Sequence, residues 1–109
     1  MLLTQIYNRI INKGSIMATA SARHILVNDE AFCKELKDKI NTGEITFEQA
    51  AKDNSTCPSG ANGGELGTFR QGQMVPEFDK VVFNDEVGVV HGPVKTQFGY
   101  HLLEITKRS

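Results

Sequence analysis

Two histidines, His24 and His101, occupy positions that could bring imidazole chemistry into a protein core. The run ARHILV predicts a strand in which His24 shares a face with Leu26. The run FGYHLLEI predicts another, in which His101 shares a face with Leu103 and Ile105. Both side chains are therefore expected to be buried, and burial keeps an imidazole neutral by lowering its pKa. Two neutral rings can satisfy each other, because each has one donor and one acceptor.

Cys57 adds two alternatives that involve reactive chemistry. Together with His24 and His101 it could provide three zinc ligands, or it could form a nucleophilic pair with one histidine. The three residues come from distant segments without a recognised spacing, so the sequence neither favours nor excludes zinc. The surrounding STCPSG matches no nucleophile elbow. A single core histidine is usually only a satisfied polar group, but two on separate strands favour a paired arrangement.

A glycine-rich stretch, GANGGELG, could suggest a phosphate-binding loop. It lacks the lysine of a P-loop and the strand–glycine–helix context of a dinucleotide site. We therefore predict a turn-rich loop and no nucleotide ligand.

Length and charge narrow the class of protein. A chain of 109 residues is long enough for one domain with one core. The net charge of -1, with acids and bases mixed, argues against nucleic acid and against an anionic membrane surface as partners. Two cysteines without a C-x-x-C motif fit a reduced protein, and we expect a cytoplasmic location. A monomer is the default expectation.

The N-terminal segment is interpreted separately. Leu3, Ile6 and Ile10 have helical spacing, and the segment contains Arg9 and Lys13 but no acid. Its basic residues follow the apolar residues instead of preceding them, and it has no long apolar core, so it does not fit a targeting signal. It also contains no apolar stretch long enough to span a membrane. We interpret residues 1–19 as an extension, disordered or upstream of the native start, and residues 20–109 as the domain.

The first half of the domain is predicted to contain a strand and two helices. The strand covers residues 22–27, and Asn28 or Asp29 then caps a helix that stops at Gly43. The inward positions of this helix are Phe32, Leu36 and Ile40. TFEQ predicts a capping box at the start of a second helix, which ends by Asn54.

The second half is predicted to add three strands and one helix. Residues 55–64 form a loop, and residues 66–69 form a brief strand. Pro76 begins a short helix, residues 88–93 form a turn, and residues 94–107 form two antiparallel strands. The order β, α, α, β, α, β, β predicts an α+β fold, a small four-stranded antiparallel sheet surrounded by three to four helices.

The motifs HILV, GGELGTFRQGQMVPEFD and FGYH resemble the parvulin family of peptidyl-prolyl cis-trans isomerases, in particular its small single-domain bacterial members. The resemblance covers residues 20–108 in order. It implies the parvulin-like fold of the FKBP-like superfold, and no cofactor or metal. It also implies eight site residues. Those assigned to catalysis are His24, Cys57, Thr96 and His101. Those assigned to the substrate site are Leu66, Met74, Phe78 and Phe98.

The implied activity is rotation about X-Pro bonds in unfolded or flexible polypeptides by a non-covalent mechanism. Parvulins that recognise phosphoserine or phosphothreonine carry basic residues after the first strand, whereas this chain has Asn28, Asp29 and Glu30. We therefore expect unphosphorylated substrates with an apolar or small residue before proline. The alternative is a non-catalytic binding module or chaperone on the same fold, because fold alone does not determine function.

Overall fold

The computed structural model describes residues 18–109, so most of the predicted N-terminal extension, residues 1–17, lies outside the described residues. The elements are β1 (Thr19–Val27), α1 (Glu30–Asn41), α2 (Phe47–Asn54), a 3-10 helix (Pro58–Asn62), β2 (Glu65–Arg70), α3 (Pro76–Val82), β3 (Val90–Thr96) and β4 (Gly99–Arg108). The predicted α+β class and the order of strands and α-helices are confirmed. No helix in the described part is long and apolar enough to cross a membrane.

The four strands form one antiparallel sheet in the order β2-β1-β4-β3. The central pair, β1 and β4, aligns His24 with Leu103 and Leu26 with His101. Because side chains alternate along a strand, both histidines face the same side of the sheet. This diagonal arrangement brings the two imidazoles together.

Each face of the sheet has its own apolar core. On one face, α1 and α2 cover residues of the central strands, in a cluster that includes Ile25, Leu36, Phe47 and Leu102. On the other face, α3 contributes Phe78 and Val82 to a cluster with Phe69, Leu103 and Ile105. The histidines lie on the α3 face, so this short helix covers the site.

The helix starts follow the predicted caps. Asp29 accepts a hydrogen bond from the Phe32 N–H at 2.8 Å, and Thr46 accepts one from the Gln49 N–H at 3.1 Å. The capping box is only half formed, because the Gln49 side chain donates to Asp53 instead. Local side chain to backbone bonds therefore determine both starts.

Three predicted boundaries differ from the structure. The first strand begins at Thr19 rather than residue 22, because it pairs with both β2 and β4 over this length. The predicted loop at residues 55–64 contains the 3-10 helix. The predicted turn at residues 88–93 contains the start of β3, whose pairing shifts between His91 and Val94. β3 is an edge strand, which tolerates Pro93 because no outer neighbour needs its missing N–H.

The two ends of the described chain are adjacent. The Ser109 N–H donates to the Thr19 carbonyl at 2.9 Å, and the Gln71 N–H donates to the Ala18 carbonyl at 3.3 Å. The polypeptide thus enters and leaves the sheet at the same end.

Candidate active site

The two histidines form a direct pair at the centre of the sheet. Nδ1 of His24 lies 3.1 Å from Nδ1 of His101, and the ring planes differ by 18°. Their exposed fractions are 5% and 4%, which confirms the predicted burial.

A hydrogen-bonded chain extends from this pair in both directions. Nε2 of His101 lies 2.8 Å from Oγ1 of Thr96, which accepts the Phe98 N–H at 3.1 Å. Nε2 of His24 lies 3.1 Å from Oγ of Ser59, which donates to Sγ of Cys57 at 3.4 Å. The four residues assigned to catalysis are therefore connected, with Ser59 as the link to Cys57.

The hydrogen bond from Ser59 to Cys57 determines which groups donate and which accept along this hydrogen-bonded chain. Since the Ser59 hydroxyl donates to sulfur, Ser59 accepts from His24, and the neutral His24 ring carries its proton on Nε2. Its Nδ1 then accepts from Nδ1 of His101, whose Nε2 accepts from the Thr96 hydroxyl. Each imidazole donates once and accepts once, so the chain has no unused ring nitrogen.

The surroundings keep both rings neutral. Burial, followed by the neighbouring His101, lowers the pKa of His24 from 6.5 to about 4. Burial also lowers the pKa of His101, while the Glu77 carboxylate acts in the opposite direction. Neutral rings are what the tautomers above require, since a protonated imidazole has no acceptor.

These pKa values predict acid-sensitive folding. The unfolded chain takes up protons on its histidines as the pH falls through 6.5, whereas folded His24 resists protonation until about pH 4. Above pH 6.5 the histidines are neutral in both states, so the free energy of unfolding does not depend on them. Between pH 6.5 and about 4 the unfolded chain binds more protons, so the free energy of unfolding falls. For His24 the loss is about 3 kcal/mol.

Denaturant unfolding at pH 7, 5.5 and 4 measures this loss of stability. A His24→Leu/His101→Leu variant should show a weaker pH dependence, and equal dependence in both proteins would contradict the prediction.

Phe78 supports the pair from the α3 side. Its ring meets His24 and His101 edge-on, with centroid separations of 5.3 and 4.8 Å. Leu66 and Met74 are half-buried and pack against the same apolar cluster. These three predicted substrate residues therefore lie on the histidine side of the sheet.

Phe98, the fourth predicted substrate residue, has a different environment. It lies in the turn between β3 and β4, and 58% of its side chain is exposed. Only its backbone N–H joins the hydrogen-bonded chain, through Thr96. The ring is available to contact a polypeptide outside the buried part of the site.

Gly64 holds the Cys57 loop close to His24. Its carbonyl accepts the His24 N–H at 2.9 Å, and its φ is +87°. A Cβ at this position would lie 2.3 Å from the His24 carbonyl oxygen. The glycine-rich stretch thus provides close backbone contact, which agrees with the prediction of a turn-rich loop.

The geometry distinguishes between the alternatives for Cys57. Ser59 stands between the thiol and the imidazole, so Cys57 and His24 do not form a direct nucleophilic pair. Within residues 18–109, no three metal-ligating side chains gather around a common point. Sequence reasoning missed Ser59. The available signal was a hydroxyl two residues after Cys57, in a segment that was predicted as a turn-rich loop without its 3-10 helix.

Comparison with known protein families identifies the chain. The family description "PPIC-type PPIASE domain" matches residues 27–107. The chain belongs to this family, the parvulins. The resemblance inferred from its motifs is confirmed, as is the assignment to peptidyl-prolyl isomerases at the level of the family.

Individual relatives agree with this assignment. The foldase protein PrsA of Geobacillus kaustophilus is 47% identical over 88 residues, which cover 80% of this chain and 31% of that protein. PrsA of Bacillus subtilis is 44% identical, over 87% of this chain and 31% of that protein. This parvulin thus spans about a third of the length of the curated relatives it matches.

Solved structures show the same fold. The crystal structure of PrsA from Bacillus anthracis has a TM-score of 0.81 and 38% identity, covering 89% of this chain and 45% of that one. NmPin, the parvulin of Nitrosopumilus maritimus, has a TM-score of 0.73 and 32% identity, covering 82% of this chain and 96% of that one. The solved NmPin chain is therefore of similar length to this one.

Proposed function

We propose that this parvulin accelerates cis-trans isomerisation of X-Pro bonds in unfolded or flexible polypeptides, without forming a covalent intermediate. The observation that carries the proposal is the neutral histidine pair, linked to Thr96 and Cys57 and covered by Phe78. The site places uncharged polar groups beside an apolar surface of the kind that accepts a proline ring.

Isomerisation requires rotation and no bond cleavage. The barrier of about 18–20 kcal/mol arises from amide resonance, which rotation interrupts. Accelerating a step of about 100 s to roughly 100 per second is a change of about 10⁴-fold, which requires about 5.5 kcal/mol. In the twisted amide, the carbonyl oxygen carries less negative charge than in the planar amide. A site that removes water from this oxygen therefore destabilises the planar form more than the twisted one.

The side chains divide this task. Phe78 and Met74 offer a flat ring and an adaptable thioether to the substrate proline. The paired imidazoles hold the floor of the site and orient Thr96 and, through Ser59, Cys57. In this mechanism, the histidines act as a neutral scaffold and do not transfer protons to the substrate.

Substrates are proposed to be unphosphorylated. Asn28, Asp29 and Glu30 follow β1, and all three are exposed. Asp29 is also committed to capping α1. Carboxylates at this position repel a phosphate group, which needs arginine or lysine partners. The half-buried apolar Leu66 and Met74 favour an apolar or small residue before proline.

Exchange NMR on short peptides tests the proposal. With an Ala-Leu-Pro peptide, a catalytic amount of the protein should produce exchange between the cis and trans resonances. A matched phosphoserine-proline peptide should show weaker exchange at equal concentration. Shifted resonances without exchange would indicate a binding module, and fastest turnover of the phosphopeptide would refute the substrate assignment.

Cys57 is predicted to act by hydrogen bonding and electrostatics. Cys57→Asp preserves an acceptor for the Ser59 hydroxyl, so activity should change by no more than about tenfold, the contribution of one neutral hydrogen bond. The same exchange measurement checks this, with Cys57→Ala as the variant that removes the acceptor. A folded but inactive Cys57→Asp protein would support a covalent role instead.

The cysteines bear on the cellular location that we propose for the protein. Both cysteines are free thiols, and Cys33 is fully buried, which suits a reducing compartment. We propose a cytoplasmic monomer whose partners are proline-containing polypeptides, with neither nucleic acid nor membranes as ligands. Cell fractionation and analytical ultracentrifugation test these two assignments.

A further inference from the structure

An exposed carboxylate, that of Glu77, lies beside the proposed proline site. Glu77 is the second residue of α3 and directly precedes Phe78, whose ring meets both imidazoles. The isomerase mechanism uses Phe78 and Met74, and it gives Glu77 no role. A charge at this position can act on the part of a substrate that extends beyond the proline.

The spacing along α3 places Glu77 on the flank of the helix that borders the site. Residues four apart on a helix lie on the same flank, so Glu77 is aligned with Val81. Val81 is half-buried and packs against the apolar cluster on the histidine side of the sheet. Glu77 lies one turn nearer to the start of the helix, which is the end at which Phe78 meets the imidazoles.

The Glu77 carboxylate is available to a substrate. Within residues 18–109 it forms neither a side-chain hydrogen bond nor an ion pair. Asp79, the other acid in the first turn of α3, instead accepts the Gly72 N–H at 2.8 Å. The negative charge of Glu77 also acts inside the site, because it raises the pKa of His101 and so opposes the effect of burial. Glu77 is therefore close enough to the imidazole pair to act on a polypeptide bound there.

Lys80 is the basic residue nearest to Glu77 along α3. It follows Phe78 by two positions, which is about 160° around the helix, so it faces solvent on the side away from the sheet. The described residues contain no ion pair between Lys80 and Glu77. Lys80 therefore leaves the carboxylate unpaired at the border of the site.

The other basic residues of the described chain lie away from the site. Lys95 is next to Thr96, which faces the histidines, so alternation along β3 puts Lys95 on the opposite side of the sheet. Arg70 is next to Phe69 and is likewise directed to the opposite side. Arg23 is held there by its ion pair. The rest belong to α1 and α2, which cover that opposite side, or to the end of β4, at least about 20 Å along the strand from the imidazole pair: Lys34, Lys37, Lys39, Lys52, Lys107 and Arg108.

We propose that Glu77 makes this parvulin prefer substrates that carry a lysine or arginine one or two residues from the X-Pro pair. Two residues of extended polypeptide span about 7 Å, so a side chain at this distance from the proline can lie over the start of α3. The residue X itself remains apolar or small, beside Leu66 and Met74. The proposal rests on the proposed isomerase function and adds a substrate class to it. Exposed ion pairs contribute little free energy, so the expected preference over a neutral residue is about two- to fivefold.

Exchange NMR with matched peptides tests this preference. Blocked peptides Ala-Leu-Pro-Ala-Lys, Ala-Leu-Pro-Ala-Leu and Ala-Leu-Pro-Ala-Glu differ only in the residue after the spacer, and a second series places the same residues before Ala-Leu-Pro. At low salt and equal peptide concentration, the rate of catalysed exchange should rank lysine above leucine and leucine above glutamate in at least one series. The difference should disappear at about 0.5 M salt, because screening weakens exposed ion pairs. Equal rates in both series, or a ranking that salt does not change, would overturn the proposal.

Two charge variants and a control assign the preference to Glu77. Glu77→Gln should bring the ratio of the lysine-peptide rate to the leucine-peptide rate close to one, and Glu77→Lys should make the glutamate peptide the better substrate. Glu44→Gln removes the same charge from an exposed residue in the α1–α2 loop, on the opposite side of the sheet, and should change neither the ratio nor the activity. A lysine preference that persists in Glu77→Gln would contradict the role of Glu77.

Dissociation constants from the same titrations separate this proposal from the isomerase function. Peptides that bind with the lysine preference but show no exchange would refute the isomerase function and support the role of Glu77. Exchange that is catalysed equally for all peptides, with equal dissociation constants, would support the isomerase function and refute the role of Glu77.

Discussion

Phe78→Ala is expected to reduce isomerase activity on the order of 100-fold, the effect of misplacing groups by about 1 Å in a site. The ring is 4% exposed and meets both imidazoles edge-on. Removing it opens a cavity under the pair and deletes the rigid wall proposed for the proline ring. Stability should also fall by about 3–5 kcal/mol. Peptide exchange NMR and denaturant unfolding measure the two effects separately.

Phe69→Ala provides the matched control. Phe69 is 5% exposed in the same apolar cluster, but its aromatic neighbour is Phe83 and not a histidine. It should lose a similar amount of stability, about 3–5 kcal/mol, while activity per folded molecule stays near that of the parent. Phe78→Leu, which preserves apolar volume, keeps the test usable if the alanine variant does not fold. Equal activity in folded Phe69 and Phe78 variants would contradict the proposed site.

The histidine pair is expected to behave as one unit. His24→Leu alone leaves Nδ1 of His101 and the Ser59 hydroxyl without their partner, so it should cost about 1–3 kcal/mol of stability. His101→Leu leaves the equivalent groups of His24 and Thr96 unpaired, with a similar cost. The double leucine variant removes both rings, so its cost should be smaller than the sum of the two single costs.

The isomerase activities of the parent, the two single variants and the double variant form a double-mutant cycle. If the imidazoles are a scaffold, the double variant should be more active than the less active single variant, because it no longer buries an unpaired ring. If one histidine acts as an acid or base, every variant that lacks it should be inactive. The complete cycle, measured by exchange NMR and by unfolding, therefore separates a structural role from proton transfer.

Local signals in the sequence were sufficient for most of the fold. Asp29 and Thr46 cap their helices as predicted, because capping depends on contacts within a few residues. Alternation along the strands correctly placed both histidines in the core. The start of β3 was missed, because Gly92 and Pro93 are turn residues in most contexts and only pairing with β4 makes this segment a strand.

The connections within the site were less predictable. Ser59 reaches His24 across 35 positions of sequence, through a 3-10 helix that local patterns did not reveal. The requirement for Gly64 depends on how closely its backbone meets His24, which is a property of the folded loop.

The hydrogen bond between Ser109 and Thr19 places the start of β1 beside the end of β4. Because these two ends of the domain are neighbours, the domain needs only short connectors to be inserted into a surface loop of a host protein. The same adjacency would permit circular permutation, with new termini opened at an exposed turn away from the histidine pair, such as the one between α3 and β3.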